Sequence, residues 1–92
     1  MKRLISAICV LFFLLPLSAQ ETYQKETFIS SRGDTLQYRL LQPENMKKSE
    51  KYPLVLFLHG AGERGNDNER QLTHGGQMFL NPVNREKYPA FV

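Results

Sequence analysis

A nearly continuous apolar run that ends in a glycine-rich turn constrains the fold of this chain more than any other feature. The run spans residues 52–58, and His59-Gly60-Ala61-Gly62 follows it directly. An uninterrupted apolar run of this length is typical of a strand covered on both faces, as in the parallel sheet of an α/β domain. The sequence therefore predicts an α/β fold in which a buried strand opens into a loop.

Two segments before this run predict an antiparallel edge to the same sheet. Residues 27–30 and 35–41 have strand composition, and the second alternates apolar and polar residues, as strands with one solvated face do. The Ser-Arg-Gly-Asp sequence at residues 31–34 has the composition of a hairpin turn. Residues 21–25 are polar, and we expect them to be frayed.

The segments after the glycine-rich turn predict a loop, a short helix and a further strand. Residues 66–72 are polar and suit a loop or a short exposed helix, while the apolar cluster at 77–80 is expected to pack against the sheet. Asn81-Pro82 is typical of a helix cap followed by proline at the first helical position, so a helix of one or two turns is predicted over residues 83–87. Residues 88–92 have the composition of a strand that begins there.

The first twenty residues have the pattern of a secretory signal peptide. Lys2 and Arg3 precede an apolar stretch at residues 4–15, and small residues follow it at 18–20. The stretch is shorter than the roughly 20 residues that span a bilayer, which favours cleavage over an uncleaved N-terminal anchor. We predict a signal peptide at 1–20 and a secreted or periplasmic protein with no stable membrane association after cleavage.

The predicted mature segment, residues 21–92, is nearly neutral and has no cysteine. It carries ten basic and nine acidic residues, a net charge of +1, which gives no electrostatic case for nucleic acid or an anionic membrane as a partner. The single cysteine, Cys9, lies in the signal segment, so no disulfide supports the mature fold. A segment of this length is near the lower limit for an unaided core, and we expect it to be the N-terminal fragment of a larger domain.

The glycine-rich turn places a main-chain amide where it can stabilise a developing negative charge. Gly60 and Gly62 flank Ala61 and allow the backbone to turn sharply and approach a ligand closely. The N–H of Ala61 is then expected to point into a cleft at the end of the strand. A hydrogen bond from such a donor to an oxyanion strengthens as charge develops in an acyl-transfer reaction.

Residues 54–65 resemble the third strand and oxyanion-hole loop of the α/β-hydrolase superfamily. More narrowly, His59-Gly60-Ala61-Gly62-Glu63-Arg64-Gly65 followed by Asn66-Asp67-Asn68 is similar to secreted bacterial esterases. The branches concerned are the phospholipase/carboxylesterase and feruloyl-esterase-like groups and the "predicted peptidases" related to prolyl oligopeptidases. The likeness covers about residues 27–92, and its specific part is 54–72.

The resemblance implies a serine hydrolase that uses a Ser-Asp-His acyl-enzyme mechanism and needs neither a cofactor nor a metal. The substrate would be a small-molecule or polysaccharide ester, with peptide-type bonds as the alternative. Ala61 would supply one oxyanion-hole N–H, Gly60 and Gly62 would flank it, and His59 would shape the loop. Glu63 and Arg64 would brace the loop through an ion pair.

The catalytic triad of that superfamily is absent from these 92 residues. No G-x-S-x-G sequence occurs, and neither His59 nor His74 lies at the C-terminal position that the triad histidine takes. We therefore expect this chain to be inactive by itself.

Two other classes of protein compete with the hydrolase interpretation. Residues 60–65 also match the G-x-G-x-x-G fingerprint of dinucleotide-binding folds, but that motif needs a helix to open at once, and the polar residues after Gly65 suit one poorly. A non-catalytic secreted binding module is the second alternative, although the aromatic residues fit a core better than an exposed platform. The two histidines have no third ligand at a zinc-binding spacing.

Overall fold

The computed structural model describes residues 22–92 and contains a β-hairpin followed by four short helical segments. In chain order these are β1 (Gln24–Ile29), β2 (Thr35–Leu40), the 3₁₀ turns η1 (Ala61–Glu63) and η2 (Arg70–Leu72), and the helices α1 (Gly76–Leu80) and α2 (Pro82–Lys87). The predicted signal peptide at 1–20 lies outside the described residues. None of the helices within residues 22–92 has the length and apolar character needed to cross a membrane.

The predicted antiparallel hairpin is confirmed, with one boundary corrected. β1 and β2 pair over six residues each, from Gln24 opposite Leu40 to Ile29 opposite Thr35. Residues 24 and 25 were expected to be frayed because they are polar, but they are held in the ladder by the last residues of β2. Backbone pairing overrides the composition of this edge.

The hairpin turn forms as its sequence predicts. Gly33 takes a left-handed conformation with φ of 88°, which glycine adopts without a steric penalty. The Ser30 hydroxyl accepts hydrogen bonds from the backbone N–H groups of Arg32 and Asp34 at 3.3 and 3.1 Å. These local bonds satisfy the donors of the turn and fix the register of the two strands.

Residues 91–92 lie between the end of β2 and residues 53–55 and bond to both. Leu41, just after β2, exchanges two backbone hydrogen bonds with Val92, at 2.9 and 3.0 Å. Phe91 bonds on its other side to Pro53 and Val55, at 3.0 and 2.8 Å, and forms a parallel bridge with Leu54. The spatial order is therefore β1, β2, residues 91–92, then residues 53–55. Of the strand predicted to begin at 88–92, only residues 91–92 pair with their neighbours in this way.

The sequence predicted that the apolar run at 52–58 is covered on both faces. Within residues 22–92 it is covered on one face only. Val55 and Phe57 are partly buried, whereas Leu54, Leu56 and Leu58 expose 76%, 80% and 76% of their surface. This alternation shows a segment with one face packed and one face open. Within residues 22–92 all the helical packing described below lies on one side of the sheet, so only one face of the segment is covered there.

The facing of β2 is also the reverse of the predicted one. The alternating apolar residues Leu36 and Tyr38 are exposed, whereas Arg39 and Leu41 are buried. Arg39 is tolerated there because its guanidinium donates to the backbone carbonyls of Tyr23 and Asn68, at 2.7 and 2.6 Å. Main-chain oxygens thus accept from two of its nitrogens, and the Glu69 carboxylate lies 3.9 Å from the third, which partly offsets the cost of burying the charge.

The core of the described chain is small and lies on the covered face. Tyr23, Leu41 and Leu72 are its buried apolar residues, with 3%, 3% and 4% of their surface exposed. Phe79 and Leu80 of α1 and the terminal Val92 pack against them. The expectation that residues 77–80 pack against the sheet is confirmed for Phe79 and Leu80, while Met78 faces outward.

Helix α2 begins as the Asn81-Pro82 sequence predicts. The Asn81 side chain accepts hydrogen bonds from the N–H groups of Val83 and Asn84 at 3.0 and 3.3 Å, and Pro82 occupies the first turn. Asn84 in turn donates its side-chain amide to the carbonyl of Met78 at 2.9 Å, which joins α2 to α1. The cap thus fixes the path that leads the chain back to the sheet.

Candidate functional site

The loop that follows the apolar segment presents unpaired backbone amides. Gly60 is extended, with φ of −82° and ψ of 176°, and the chain then enters the single 3₁₀ turn η1. The turn is closed by a hydrogen bond from the Glu63 N–H to the Gly60 carbonyl at 3.2 Å. The N–H groups of Ala61 and Gly62 precede that bond, and no residue among 22–92 accepts from them. This follows from helical geometry, which leaves the first donors of a turn without intrahelical acceptors.

The two glycines that flank Ala61 have different surroundings. Neither takes a left-handed conformation, so the sharp turn expected from glycine φ freedom is not their reason for being glycine. A Cβ on Gly60 would lie 2.9 Å from a carboxylate oxygen of Glu63, a contact that this flexible side chain can relieve by moving. A Cβ on Gly62 would meet nothing within 4 Å, so the space beside that amide is open.

His59 makes a hydrogen bond within the loop. Its ring Nδ1 lies 2.7 Å from the carbonyl oxygen of Gly60, and the ring is exposed. A carbonyl only accepts, so Nδ1 carries the proton in this contact. The bond restricts the orientation of the peptide that joins Gly60 to Ala61.

The sequence predicted an ion pair between Glu63 and Arg64. In the structure Glu63 instead contacts His74. A carboxylate oxygen of Glu63 lies 3.2 Å from the Nε2 of His74, and the Glu63 side chain is largely buried while the imidazole is exposed. Arg64 contributes only its backbone here, since its carbonyl accepts from the Arg70 guanidinium at 3.3 Å. No spacing rule in the sequence joins residues 63 and 74, because the contact forms only when the intervening loop folds back.

The backbone beside His74 is held in place by the aromatic packing under the sheet. Gly75 has φ of 83°, and a Cβ there would lie 2.8 Å from the ring of Phe57. The Phe57 ring packs edge-to-face on Phe79, with centroids 5.7 Å apart and an interplanar angle of 75°. The strand segment, the turn that carries His74 and helix α1 are therefore joined at one point.

The polar residues after the loop form a second turn that is tied to β2. The Asp67 carboxylate accepts from the N–H groups of Glu69 and Arg70 at 3.0 and 3.1 Å. These backbone hydrogen bonds hold the pKa of Asp67 below its ordinary value. The Asn68 side chain donates to the Tyr38 carbonyl at 3.1 Å, so the loop is anchored to the sheet on its far side.

The loop borders a groove of about 950 Å³ that runs between β2 and residues 54–58. His59 and Glu63 line the end of the groove nearest the loop. The unpaired backbone N–H groups of the loop can donate hydrogen bonds to an anionic oxygen there. No serine nucleophile is available, because the serines within residues 22–92 lie in the hairpin turn and in the linker after β2. The described residues also contain no group of three His, Cys, Asp or Glu side chains arranged to hold a metal ion.

The helix that a dinucleotide-binding fingerprint requires is not formed after Gly60-Ala61-Gly62-Glu63-Arg64-Gly65. Within that stretch the backbone makes only the single turn η1, and the next helical residues are the 3₁₀ turn η2. A pyrophosphate bound in that mode needs the N-terminus of a longer helix. The loop therefore lacks the helix N-terminus that a dinucleotide-binding fold uses to bind a pyrophosphate.

Comparison with known proteins gives one informative likeness. No family model matches the chain, and no curated protein matches it. Among solved structures, the crystal structure of a thermostable esterase is similar, with a TM-score of 0.69 and 39% sequence identity. The match covers 77% of this chain and 20% of the esterase chain, so the chain spans about a fifth of that protein's length. The likeness supports a hydrolase-like origin and an α/β-hydrolase-like fold for the chain.

Proposed function

We propose that this chain carries the oxyanion-binding segment of a secreted serine hydrolase that cleaves carboxylic esters. Ala61 would donate its backbone N–H to the carbonyl oxygen of the substrate, with Gly60 and Gly62 beside it and His59 shaping the loop. Cleavage of peptide-type bonds is the alternative within the same mechanism, because both reactions pass through a tetrahedral oxyanion.

The observation that carries this proposal is the unpaired Ala61 amide at the end of the apolar segment. Ala61 is an exposed residue, its N–H lies outside the hydrogen-bonded ladder, and the open space at Gly62 leaves room for a ligand next to it. The 39% identity to an esterase supports reading this donor as part of an acyl-transfer site.

The chemistry would proceed by attack of a serine hydroxyl on the ester carbonyl, while a histidine accepts the hydroxyl proton. Negative charge then develops on the carbonyl oxygen, and the hydrogen bond from Ala61 strengthens as it does so. The histidine next returns the proton to the leaving alcohol, which gives an acyl-enzyme that water hydrolyses. The serine, the acid and the histidine of this scheme have no counterparts in the G-x-S-x-G-free sequence of 92 residues. The chain alone should therefore not hydrolyse p-nitrophenyl acetate above a denatured control.

A graft into the similar esterase tests the role of the loop. Residues 54–72 of this chain would replace the matching segment of that enzyme, and kcat would be measured with p-nitrophenyl acetate. Ala61→Pro removes the N–H, and the extended Gly60 backbone is compatible with a following proline. We expect Ala61→Pro to lower kcat by about 100- to 1,000-fold, the usual cost of losing one oxyanion donor.

Ala61→Ser is the matched control, because it keeps the backbone donor while changing the side chain. It should retain most of the activity of the graft. Equal activity of the proline and serine variants would show that the amide of residue 61 does not contact the reacting oxygen.

A further inference from the structure

The peptide that joins Gly60 to Ala61 is held by its carbonyl group. The Gly60 carbonyl accepts from the Glu63 N–H at 3.2 Å, and the Nδ1 of His59 lies 2.7 Å from the same oxygen. This peptide is trans, as are all the peptide bonds described, so its N–H points in the direction opposite to its C=O. The two contacts on the Gly60 oxygen therefore determine where the Ala61 N–H points.

The same two contacts also strengthen the Ala61 N–H as a donor. Hydrogen bonds that form a chain polarise one another, and the peptide group between Gly60 and Ala61 links an accepted bond to a donated one. Loss of the contacts at the Gly60 oxygen would therefore both misdirect and weaken this donor.

Glu63 keeps its place in the turn η1 through its side chain. One carboxylate oxygen lies 3.2 Å from the Nε2 of His74, and only 16% of the Glu63 side chain is exposed. The other oxygen lies over Gly60, 2.9 Å from the place that a Cβ on that residue would take. A carboxylate with so little contact with water needs a donor, and His74 supplies one. The Glu63 carboxylate thus connects His74 to the turn.

The backbone on both sides of His74 is itself fixed. Before it, the Thr73 N–H donates to the Arg70 carbonyl at 3.0 Å. After it, Gly75 packs directly against the ring of Phe57. Phe57 belongs to the strand segment that leads into the loop, so His74 ties the loop to the strand that precedes it.

We propose that His74 is a positioning residue for the oxyanion donor. Through the Glu63 carboxylate it holds the turn η1, and the turn fixes the peptide that carries the Ala61 N–H. This role rests on the proposed function, because the direction of that N–H affects ester cleavage only if it contacts the reacting oxygen.

The order of the Ala61 N–H in the full 92-residue chain tests the structural part of this role without any substrate. The measurement is the ¹⁵N relaxation order parameter, which is about 0.85 for a rigid backbone and below about 0.6 for a flexible one. We expect a rigid Ala61 N–H in the unmodified chain and a flexible one in His74→Ala. His74→Gln should restore the order, since its side-chain amide can donate from the place of the imidazole Nε2.

A second variant shows whether His74 acts through Glu63. Glu63→Ala should loosen the Ala61 N–H as His74→Ala does, and the double variant should be no looser than either single one. Additive losses would show that His74 acts by another route, which contradicts the proposal. It is also contradicted by an Ala61 N–H that stays rigid in His74→Ala, or by an equal loss of order at Asp34 in the hairpin turn, which would show a general loosening of the fold.

The catalytic part of the role is tested in a larger graft, in which residues 22–92 replace the matching segment of the similar esterase and so include His74. We expect His74→Ala to lower kcat for p-nitrophenyl acetate by about tenfold or more, because small displacements near the reacting atoms can cost about 100-fold. KM should change little, since the Ala61 hydrogen bond strengthens only as charge develops. His74→Gln should recover most of the lost kcat.

Ala61→Pro in the same graft separates the failure of this role from the failure of the proposed function. With the N–H removed, His74→Ala should lower kcat no further, because there is no donor left to position. If Ala61→Pro leaves kcat unchanged, the proposed function is wrong, and the catalytic role of His74 falls with it. If Ala61→Pro lowers kcat and His74→Ala does not, only the role of His74 is wrong.

Discussion

At the scale of single residues, the sequence predicts the position of the glycine-rich loop better than it predicts the side-chain contacts that hold the loop in place. The glycine-rich loop was located by its motif, and the amide of Ala61 is exposed and unpaired in the described chain. The brace, however, comes from His74 to Glu63, a contact that residue spacing does not reveal. Gly60 has no positive φ, and a Cβ there would meet only the flexible end of the Glu63 side chain.

Gly75 and Gly33 form a matched pair for measuring steric cost. Both have positive φ, at 83° and 88°, so alanine at either site costs about 1–2 kcal/mol in backbone strain. Only at Gly75 would the new Cβ also lie 2.8 Å from the Phe57 ring. We expect Gly75→Ala to lower the free energy of unfolding in urea by clearly more than Gly33→Ala; equal losses would mean that the Phe57 contact is not close.

Tyr23 should make stability depend on pH in the alkaline range. Its burial raises the pKa of the phenol from 10.0 to about 12, opposed by the charge of Arg85, and its hydroxyl donates to the Gly76 carbonyl at 2.9 Å. A raised pKa in the folded state gives stability that is complete below pH 10 and is lost as the pH rises toward 12.

Urea unfolding between pH 7 and 12 measures this loss. Tyr23→Phe should lower stability at pH 7 by about 1 kcal/mol, since the Gly76 carbonyl loses its donor, and should flatten the alkaline dependence. Tyr88→Phe, at an exposed site, is the control and should change neither quantity. An unchanged alkaline slope in Tyr23→Phe would contradict the assignment.

At the scale of elements, the sequence predicted the hairpin turn and the helix cap correctly, but it did not predict which face of β2 is buried. The hairpin and the capped helix α2 follow from turn and cap chemistry that acts within a few residues. Which face of β2 is covered depends on elements distant in sequence, and the core there is built from Tyr23, Leu41 and Leu72. Alternation of apolar residues identifies a strand, but it does not say what lies against each face.

The cap of α2 provides a test at this scale. Asn81→Ala removes the acceptor for the Val83 and Asn84 N–H groups and should lower the free energy of unfolding by about 1 kcal/mol. Asn81→Ser keeps a capping oxygen and should recover most of that loss. If both variants lose stability equally, the side chain does not cap the helix.

At the scale of the whole molecule, the sheet is packed on one face and open on the other. Leu72 is 4% exposed on the covered face, whereas Leu56 on the open face is 80% exposed. The order β1, β2, residues 91–92 and residues 53–55 could not be read from the sequence, because it depends on pairing between segments far apart in the chain. The motif predicted an α/β fold class, which the likeness to the esterase supports, while the strand order required the hydrogen bonds.

Truncating one leucine on each face measures this asymmetry. Leu72→Ala should lower the free energy of unfolding by about 2–5 kcal/mol, the cost of a cavity in a core. Leu56→Ala should change it by no more than about 0.5 kcal/mol, since the side chain is already in water. Similar losses from both would show that the open face is covered in solution.

The amide of Ala61 can be observed directly when a charged oxygen occupies the site. In the esterase graft, a phosphonate that reacts with the nucleophilic serine leaves a negatively charged oxygen in the position of the reaction's oxyanion. The account predicts that the Ala61 amide proton then moves downfield in the ¹H–¹⁵N spectrum and becomes protected from exchange with solvent. An Ala61 resonance that stays at its original position and exchange rate would contradict the role assigned to this amide.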